Sequence, residues 1–267
     1  MKSWFCLAMI FLIFPVDGET RAEDAFSSQI LSEESNSKLD DLPASAPNSK
    51  LYFPSPEILP EGIAWDGTYL WVVDLKPTDE RGPRIYKLDP EEGSVLTSFP
   101  SPGGYPEGLV FDGHYLWNID LNPRTLVGPV IYKLNPEDGS ILLSFPAPGV
   151  YPGSLPTGLA WDGVCLWVAD AQRDRIYRIS AQDGAIITSF PSPGPYPTGL
   201  VWDGDYLWNL EAESERLYKI DSTTGQVAAR FPYSGQSPYG LASKTGEPLW
   251  STDYAANMIY RYEEDQE

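Results

Sequence analysis

With 267 residues, 42% of them hydrophobic and 13% aromatic, the chain carries enough apolar volume for one sizeable core and is not a disordered polypeptide. Its 38 Asp and Glu against 18 Lys and Arg leave a formal net charge of −20, which excludes nucleic acid and anionic lipid surfaces as partners at ordinary salt. A single His in the whole chain also removes His-rich zinc sites from consideration.

Residues 1–18 read as a secretory signal: Lys2 supplies a positive start, Trp4 to Phe14 an apolar run, and Pro15, Asp17 and Gly18 break it. The run is too short to span a bilayer, so the expectation is a secreted or periplasmic protein with no membrane insertion after cleavage. Residues 19–49 are rich in Ser, Glu, Asp and Pro without an apolar period, the composition of an acidic, disordered linker. Of the two cysteines, Cys6 lies inside the signal, leaving Cys165 alone and no internal disulfide. Stability must come from packing.

Residues 50–267 are built on a repeat. Five segments share one pattern: Pro60-Glu-Gly-Ile-Ala-Trp-Asp-Gly67, Pro106-Glu-Gly-Leu-Val-Phe-Asp-Gly113, Pro156-Thr-Gly-Leu-Ala-Trp-Asp-Gly163, Pro197-Thr-Gly-Leu-Val-Trp-Asp-Gly204 and the shorter Pro238-Tyr-Gly-Leu-Ala242. Intervals of roughly 41 to 50 residues point to a propeller or solenoid. Within one unit, Gly62–Trp65 is a predicted strand, Asp66-Gly67 a tight turn, and Tyr69–Asp74 a second strand rich in aromatic and β-branched residues. Arg84–Asp89 then alternates apolar with polar, Pro90–Gly93 turns the chain, and Ser94–Phe99 makes a fourth strand.

The last unit runs from Pro238 to Tyr262 and stops one strand short, while Leu51-Tyr-Phe-Pro-Ser-Pro56, ahead of the first unit, matches Thr97-Ser-Phe-Pro-Ser-Pro102. A terminal strand completing the last sheet closes a ring and removes two open edges. The predicted fold is therefore all-β: a monomeric five-bladed β-propeller of four-stranded antiparallel blades, closed by an N-terminal strand.

In such a ring the loops after strands two and four share one face, and length variation concentrates there, at 75–83, 121–129 and 146–155 of blades one and two. The residues after the strand-opening prolines, Glu61, Glu107, Thr157, Thr198 and Tyr239, converge on one axial opening and are candidate ligand-binding residues. Tyr105, Tyr151 and Tyr196, in Pro- and Gly-rich loops leading to that face, join them. Glu61 and Glu107 could hold a hard cation such as Ca²⁺ with carbonyls and waters, or stand as solvated rim residues. Asp66, Asp112, Asp162 and Asp203 are expected to satisfy their own turns, and Asp74, Asp120, Asp170, Glu211 and Asp253, ending every second strand, to fix loops. Trp65, Phe111, Trp161 and Trp202 and the second-strand set Trp71, Trp117, Trp167, Trp208 and Trp250 are expected to form interblade core, with Cys165 beside them.

The unit Pro-Glu-Gly-Ile-Ala-Trp-Asp-Gly, Leu-Trp-Val-Val-Asp, Ile-Tyr-Lys-Leu-Asp-Pro-Glu-Glu-Gly resembles the broad NHL, YVTN and SMP-30-like propeller repeats over about residues 50–262. The blade number and the Glu-Gly-Leu opening are also similar to the five-bladed glutamine cyclotransferases, which cyclise N-terminal glutamine. That resemblance implies a cyclotransferase-like activity at the acidic channel mouth; the SMP-30-like one implies a metal-dependent lactonase with its metal-binding Glu at Glu61 or Glu107. Where the cyclotransferases carry Glu-Ser-Thr-Gly in a second strand, this chain has Val72, Asn118, Val168, Asn209 and Ser251, so their catalytic carboxylate has no counterpart. Virginiamycin-lyase-like propellers rely on a His, and His114 falls at the Asp112-Gly113 turn on the opposite face. The functional expectation is a noncatalytic exported module that binds a small molecule, peptide or extracytoplasmic protein through the looped face above blades one and two, with those two enzyme activities as the alternative.

Overall fold

The computed structural model describes residues 49–76, 81–121, 128–149, 153–233, 237–243 and 249–262, within one compact unit spanning Ala44–Glu267. The expected signal peptide and the linker up to residue 48 lie outside the described residues.

The chain enters through β1 (Ser49–Pro54) and then lays down blade one as β2 (Ile58–Trp65), β3 (Leu70–Lys76), β4 (Arg84–Leu88) and β5 (Val95–Pro100). Blade two is β6 (Pro106–Phe111), β7 (Leu116–Asp120), β8 (Val130–Leu134) and β9 (Ile141–Pro146). Blade three is β10 (Pro156–Trp161), β11 (Cys165–Asp170), β12 (Arg175–Ser180) and β13 (Ile186–Pro191), and blade four β14 (Pro197–Trp202), β15 (Leu207–Glu211), β16 (Arg216–Ile220) and β17 (Val227–Pro232). Blade five has β18 (Pro238–Ala242), β19 (Leu249–Asp253) and β20 (Met258–Tyr262), and its fourth strand is β1, in the order β1-β20-β19-β18. Tyr52 lies opposite Tyr260 and Phe53 opposite Ile259 in that antiparallel pair, which is the ring closure anticipated from the split repeat.

Each core layer lies between two blades. Trp117, Ile131 and Phe145 of blade two pack with Leu159, Val168 and Tyr177 of blade three, and Phe53 and Trp250 of blade five pack with Ile63, Val72 and Tyr86 of blade one. Trp71, Trp117, Trp167 and Trp250 are fully buried, and Cys165 is buried with them. Each of the first three, like the half-buried Trp208, gives its indole N–H to the carboxylate of the preceding turn, at 2.9 Å from Trp71 to Asp66, 2.8 Å from Trp117 to Asp112, 3.0 Å from Trp167 to Asp162 and 2.7 Å from Trp208 to Asp203. The same Asp residues accept turn N–H groups two and three positions on, as expected of Asp in a tight turn.

The first-strand aromatics Trp65, Phe111, Trp161 and Trp202 pack against the interblade clusters, as expected, but stay half-buried, because they end the innermost strand where it borders a recess on the axis.

Innermost strands meet backbone to backbone. A β-bulge interrupts the first pairing of every blade just after its opening proline, as between Pro156 and Leu159, and the Gly inside each bulge is where the next blade approaches. A Cβ on Gly158 would stand 2.0 Å from the Thr198 carbonyl oxygen, and one on Gly240 would stand 2.5 Å from that of Glu61. Only glycine admits so close an approach. Below the bulges Ile63, Leu109, Leu159, Leu200 and Leu241 are buried in the interblade clusters, and their strands surround a narrow void on the axis.

Candidate functional site

The upper mouth is organised by the acids that end the second strands. Asp74, Asp120, Asp170, Glu211 and Asp253 are fully buried, and each accepts hydrogen bonds from the loop that enters its own blade. Asp74 takes the Ser55 hydroxyl at 3.0 Å and the Glu57 N–H at 2.7 Å, Asp120 the Tyr105 N–H at 2.8 Å, and Asp170 the Ser154 hydroxyl at 2.7 Å and the Leu155 N–H at 3.0 Å. Asp253 takes the Ser237 N–H at 3.2 Å, and the longer Glu211 the Gly194 N–H at 3.3 Å. These carboxylates fix loops. Burial outweighs the hydrogen bonds at two of them, pushing Asp74 up to about 7 and Glu211 up to about 9.

Inward of them, on the innermost strands, sit the residues that follow the opening prolines. Tyr239 of blade five reaches across the axis, and its phenol donates to Glu107 Oε2 of blade two, a blade that is not its neighbour. Both residues are buried. Burial pushes the Glu107 carboxyl up to about 8, the Tyr239 hydrogen bond opposing and the Asp120 charge reinforcing the rise. Burial likewise raises the Tyr239 phenol well above its ordinary 10, with Glu107, Glu61 and Tyr196 close enough to add to the effect. The ring of Tyr254 lies 5.9 Å from that of Tyr239.

The structure thus brings together four of the predicted residues, Glu61, Glu107, Tyr239 and Tyr196. Tyr196 is half-buried, its N–H bonded to Asp174 Oδ1 at 3.0 Å, and it holds a φ of +62°, a conformation costly for a bulky side chain. Thr157 and Thr198 are placed differently: Thr157 donates to the Pro197 carbonyl of the next blade at 2.8 Å, and Thr198 to the Leu210 carbonyl of its own blade at 3.2 Å and the Pro238 carbonyl of the next at 3.5 Å. Both side chains are buried. Tyr105 is half-buried and contributes its backbone N–H to Asp120, while Tyr151 lies outside the described residues, as do 77–80, 122–127 and 150–152 of the long loops.

Two participants were not anticipated from sequence as mouth residues. Tyr254 follows Asp253 at the start of a short loop, and its neighbourhood with Tyr239 depends on how β18 and β19 sit side by side. Asp120 was read as a loop-fixing acid and is also near enough to Glu107 to oppose its ionisation.

Among the described residues no group of three or more His, Cys, Asp or Glu is placed to hold a metal ion. The Glu107 carboxyl expected to share Ca²⁺ with Glu61 accepts from the Tyr239 phenol, and burial raises it to about 8.

No family model matches the sequence, and no curated protein matches it. Among solved structures, the chain is similar to Myxococcus xanthus glutaminyl cyclase at 14% identity, over 81% of this chain and 95% of that one, with a TM-score of 0.65. A chain of the mitotic checkpoint complex is 12% identical over 90% of this chain and 69% of its own, with a TM-score of 0.50. Virginiamycin B lyase from Staphylococcus aureus is 23% identical over 78% and 67%, with a TM-score of 0.47. At these identities the likeness defines the class of protein, a β-propeller. The split repeat and the five sheets specify it further as a five-bladed ring, the kind of propeller whose resemblance to the cyclotransferases was drawn from the sequence.

Proposed function

We propose that this protein is an exported, noncatalytic binding propeller that receives a small molecule, a peptide or the end of an extracytoplasmic protein on its looped face, with the ligand's polar end at Glu61, Glu107, Tyr239 and Tyr196. The contact between Tyr239 and Glu107 carries the reading: it spans the axis and closes the upper mouth with a phenol and a carboxylic acid that are both neutral near pH 7. Such a pair offers hydrogen-bond donors and acceptors but no activated nucleophile. The left-handed backbone of Tyr196 at the same rim is strain of the kind that ligand sites retain. Export is supported by the composition of residues 1–18.

The test is a calorimetric screen of the purified protein against a library of short peptides. A saturable hit that weakens at least about tenfold in Tyr239→Phe and in Tyr196→Ala supports the reading. A hit indifferent to both changes overturns it.

One observation favours a second reading. A carboxyl held at about 8 can give and take a proton at neutral pH, and the fold is shared with a glutaminyl cyclase. The corresponding reaction has the α-amine of an N-terminal Gln attack its side-chain amide carbon while ammonia leaves carrying the transferred proton. Incubating the protein with a Gln-initiated peptide and measuring ammonia release decides between the two: turnover abolished by Glu107→Gln establishes the enzyme and displaces the binding module.

A further inference from the structure

Of the large hydrophobic side chains that stay exposed among the described residues, most fall on one part of the ring. The fourth strands of blades one, two and three each open, just after their hairpin turn, on an aliphatic pair: Val95 and Leu96, Ile141 and Leu142, Ile186 and Ile187. All six are 49–55% exposed. Blade four has Val227, half-buried, and Ala228 at the same positions, so the fold itself does not call for two large aliphatics there. Val164, in the first hairpin turn of blade three, is 71% exposed on the same side.

The pairs belong to one band. The turn between the third and fourth strands of each blade packs on the fourth strand of the blade before it: a Cβ on Gly139 would stand 2.3 Å from the Phe99 ring, and one on Gly184 2.6 Å from that of Phe145. β5, β9 and β13 therefore follow one another around the outer wall, and the turns between them bring Glu137, Asp138 and Asp183, all exposed, between one aliphatic pair and the next. The cations nearest the pairs across the sheet, Lys87, Lys133 and Arg178, turn elsewhere. Lys87 lies over the rings of Tyr69 and Trp71, at 4.1 and 5.1 Å from their centres, and Lys133 over those of Tyr115 and Trp117, at 4.3 and 4.9 Å. Arg178 bonds Asp162 at 2.7 Å. A single exposed aliphatic residue calls for no explanation, whereas a run of them interleaved with one sign of charge marks a surface for a partner of the opposite sign.

We propose that this band docks an amphipathic helix of a partner protein, its apolar stripe on the aliphatic pairs and the Lys and Arg beside that stripe against the acidic turns. A second copy of this chain is a poor occupant, since it brings the same acids and the same net charge of −20 to the contact. An added strand is refused as well. Lys87 faces Thr97 and Leu88 faces Val95, which leaves Leu96 in a β-bulge, and Leu142 and Ile187 fall in the same bulge of their blades. A bulge in an edge strand interrupts the ladder that a new strand would extend. A helix satisfies its own backbone and needs only side-chain contact. The band lies toward the hairpin turns, away from the looped face, so this docking does not rest on the function proposed for that face.

The experiment uses a labelled helical peptide of Leu and Lys with the leucines on one stripe, and a second peptide of the same composition shuffled so that no stripe forms. Fluorescence anisotropy with the wild-type protein at physiological salt should show saturable binding of the first and at least about tenfold weaker binding of the second. The variant Ile141→Ser/Leu142→Ser/Ile186→Ser/Ile187→Ser, with its far-ultraviolet dichroism retained, should bind the first peptide at least about tenfold more weakly than wild type. Equal binding of the two peptides would mean attraction by charge alone and overturns the proposal, as do absence of saturable binding and undiminished binding by the folded variant. Sedimentation of the protein with phosphatidylcholine vesicles, or a dimer in analytical ultracentrifugation that the same variant abolishes, assigns the band to a membrane or to a second copy and overturns it too. The peptide comparison on the wild type needs no variant and decides the matter even where the substitutions do not fold.

Discussion

Replacing Glu107 by Gln should stabilise the protein, and by an amount that grows with pH. Burial lifts this carboxyl from 4.5 to about 8, so between those values the folded state retains a proton that the unfolded state has released. Stability then falls as pH rises, by about 1.4 kcal/mol per pH unit and on the order of 5 kcal/mol across the whole window. The relaxation open to a buried group makes that figure an upper bound. Gln keeps the shape and an oxygen to accept from Tyr239 but has no proton to lose. Urea unfolding followed by tryptophan fluorescence at pH 4.5, 6.5 and 8 should show wild type and Glu107→Gln converging at the acid end and diverging steadily above it. A stability difference that stays constant from pH 4.5 to 8 would refute the reasoning, since it would mean that Glu107 ionises as freely in the folded protein as in the unfolded one.

The pH dependence of the wild type should follow the same sign, because Asp74 and Glu211 are also raised, to about 7 and about 9. Stability should peak at about pH 4 to 5 and decline toward pH 9; at the acid end, Asp112, Asp162 and Asp203, which hydrogen bonds hold below the usual range in spite of burial, lose their contribution as they protonate. A melting temperature flat between pH 5 and 9 contradicts this. Deleting residues 1–56 removes β1 and should leave blade five with an open edge and an aggregating protein, whereas deleting 1–45 should be tolerated; a soluble, cooperatively unfolding 57–267 fragment speaks against the closure as a stabilising device. Trp167→Ala should cost roughly 3–5 kcal/mol in urea unfolding, as it empties a buried position and removes the indole donor to Asp162 Oδ2; a loss below about 1 kcal/mol would remove Trp167 from the core. Gly158→Ala should cost about 3 kcal/mol or more by forcing two innermost strands apart, and near-wild-type stability would show that the blades can yield there.

The strand pattern was legible because each blade repeats the same alternation. Second and fourth strands came within one or two residues of their observed bounds, Tyr69–Asp74 against Leu70–Lys76 and Ser94–Phe99 against Val95–Pro100. The first strand was read from Gly62, yet it begins at Ile58. The opening proline sits at the mouth of a bulge, where Pro60 lies opposite Asp74. At that same bulge equivalent positions diverge in role with the length of the side chain: Thr157 and Thr198 bond backbone carbonyls of the next blade, while Tyr239 is long enough to cross the axis.

By itself the sequence determined the number of blades, the closure of the last one by the first strand, the turn and loop-fixing duties of the repeated carboxylates and the second-strand tryptophan core. All of these are local chemistry copied five times, so each copy checks the others. Only the tertiary structure decided which repeated positions meet. The pairing of Glu107 with Tyr239, the burial that keeps that acid protonated, and the half-open ring of Trp65, Phe111, Trp161 and Trp202 arise around the axis, between blades that are distant in the chain. Contacts of that kind depend on the distance and angle between whole sheets, quantities that no periodicity within a strand records.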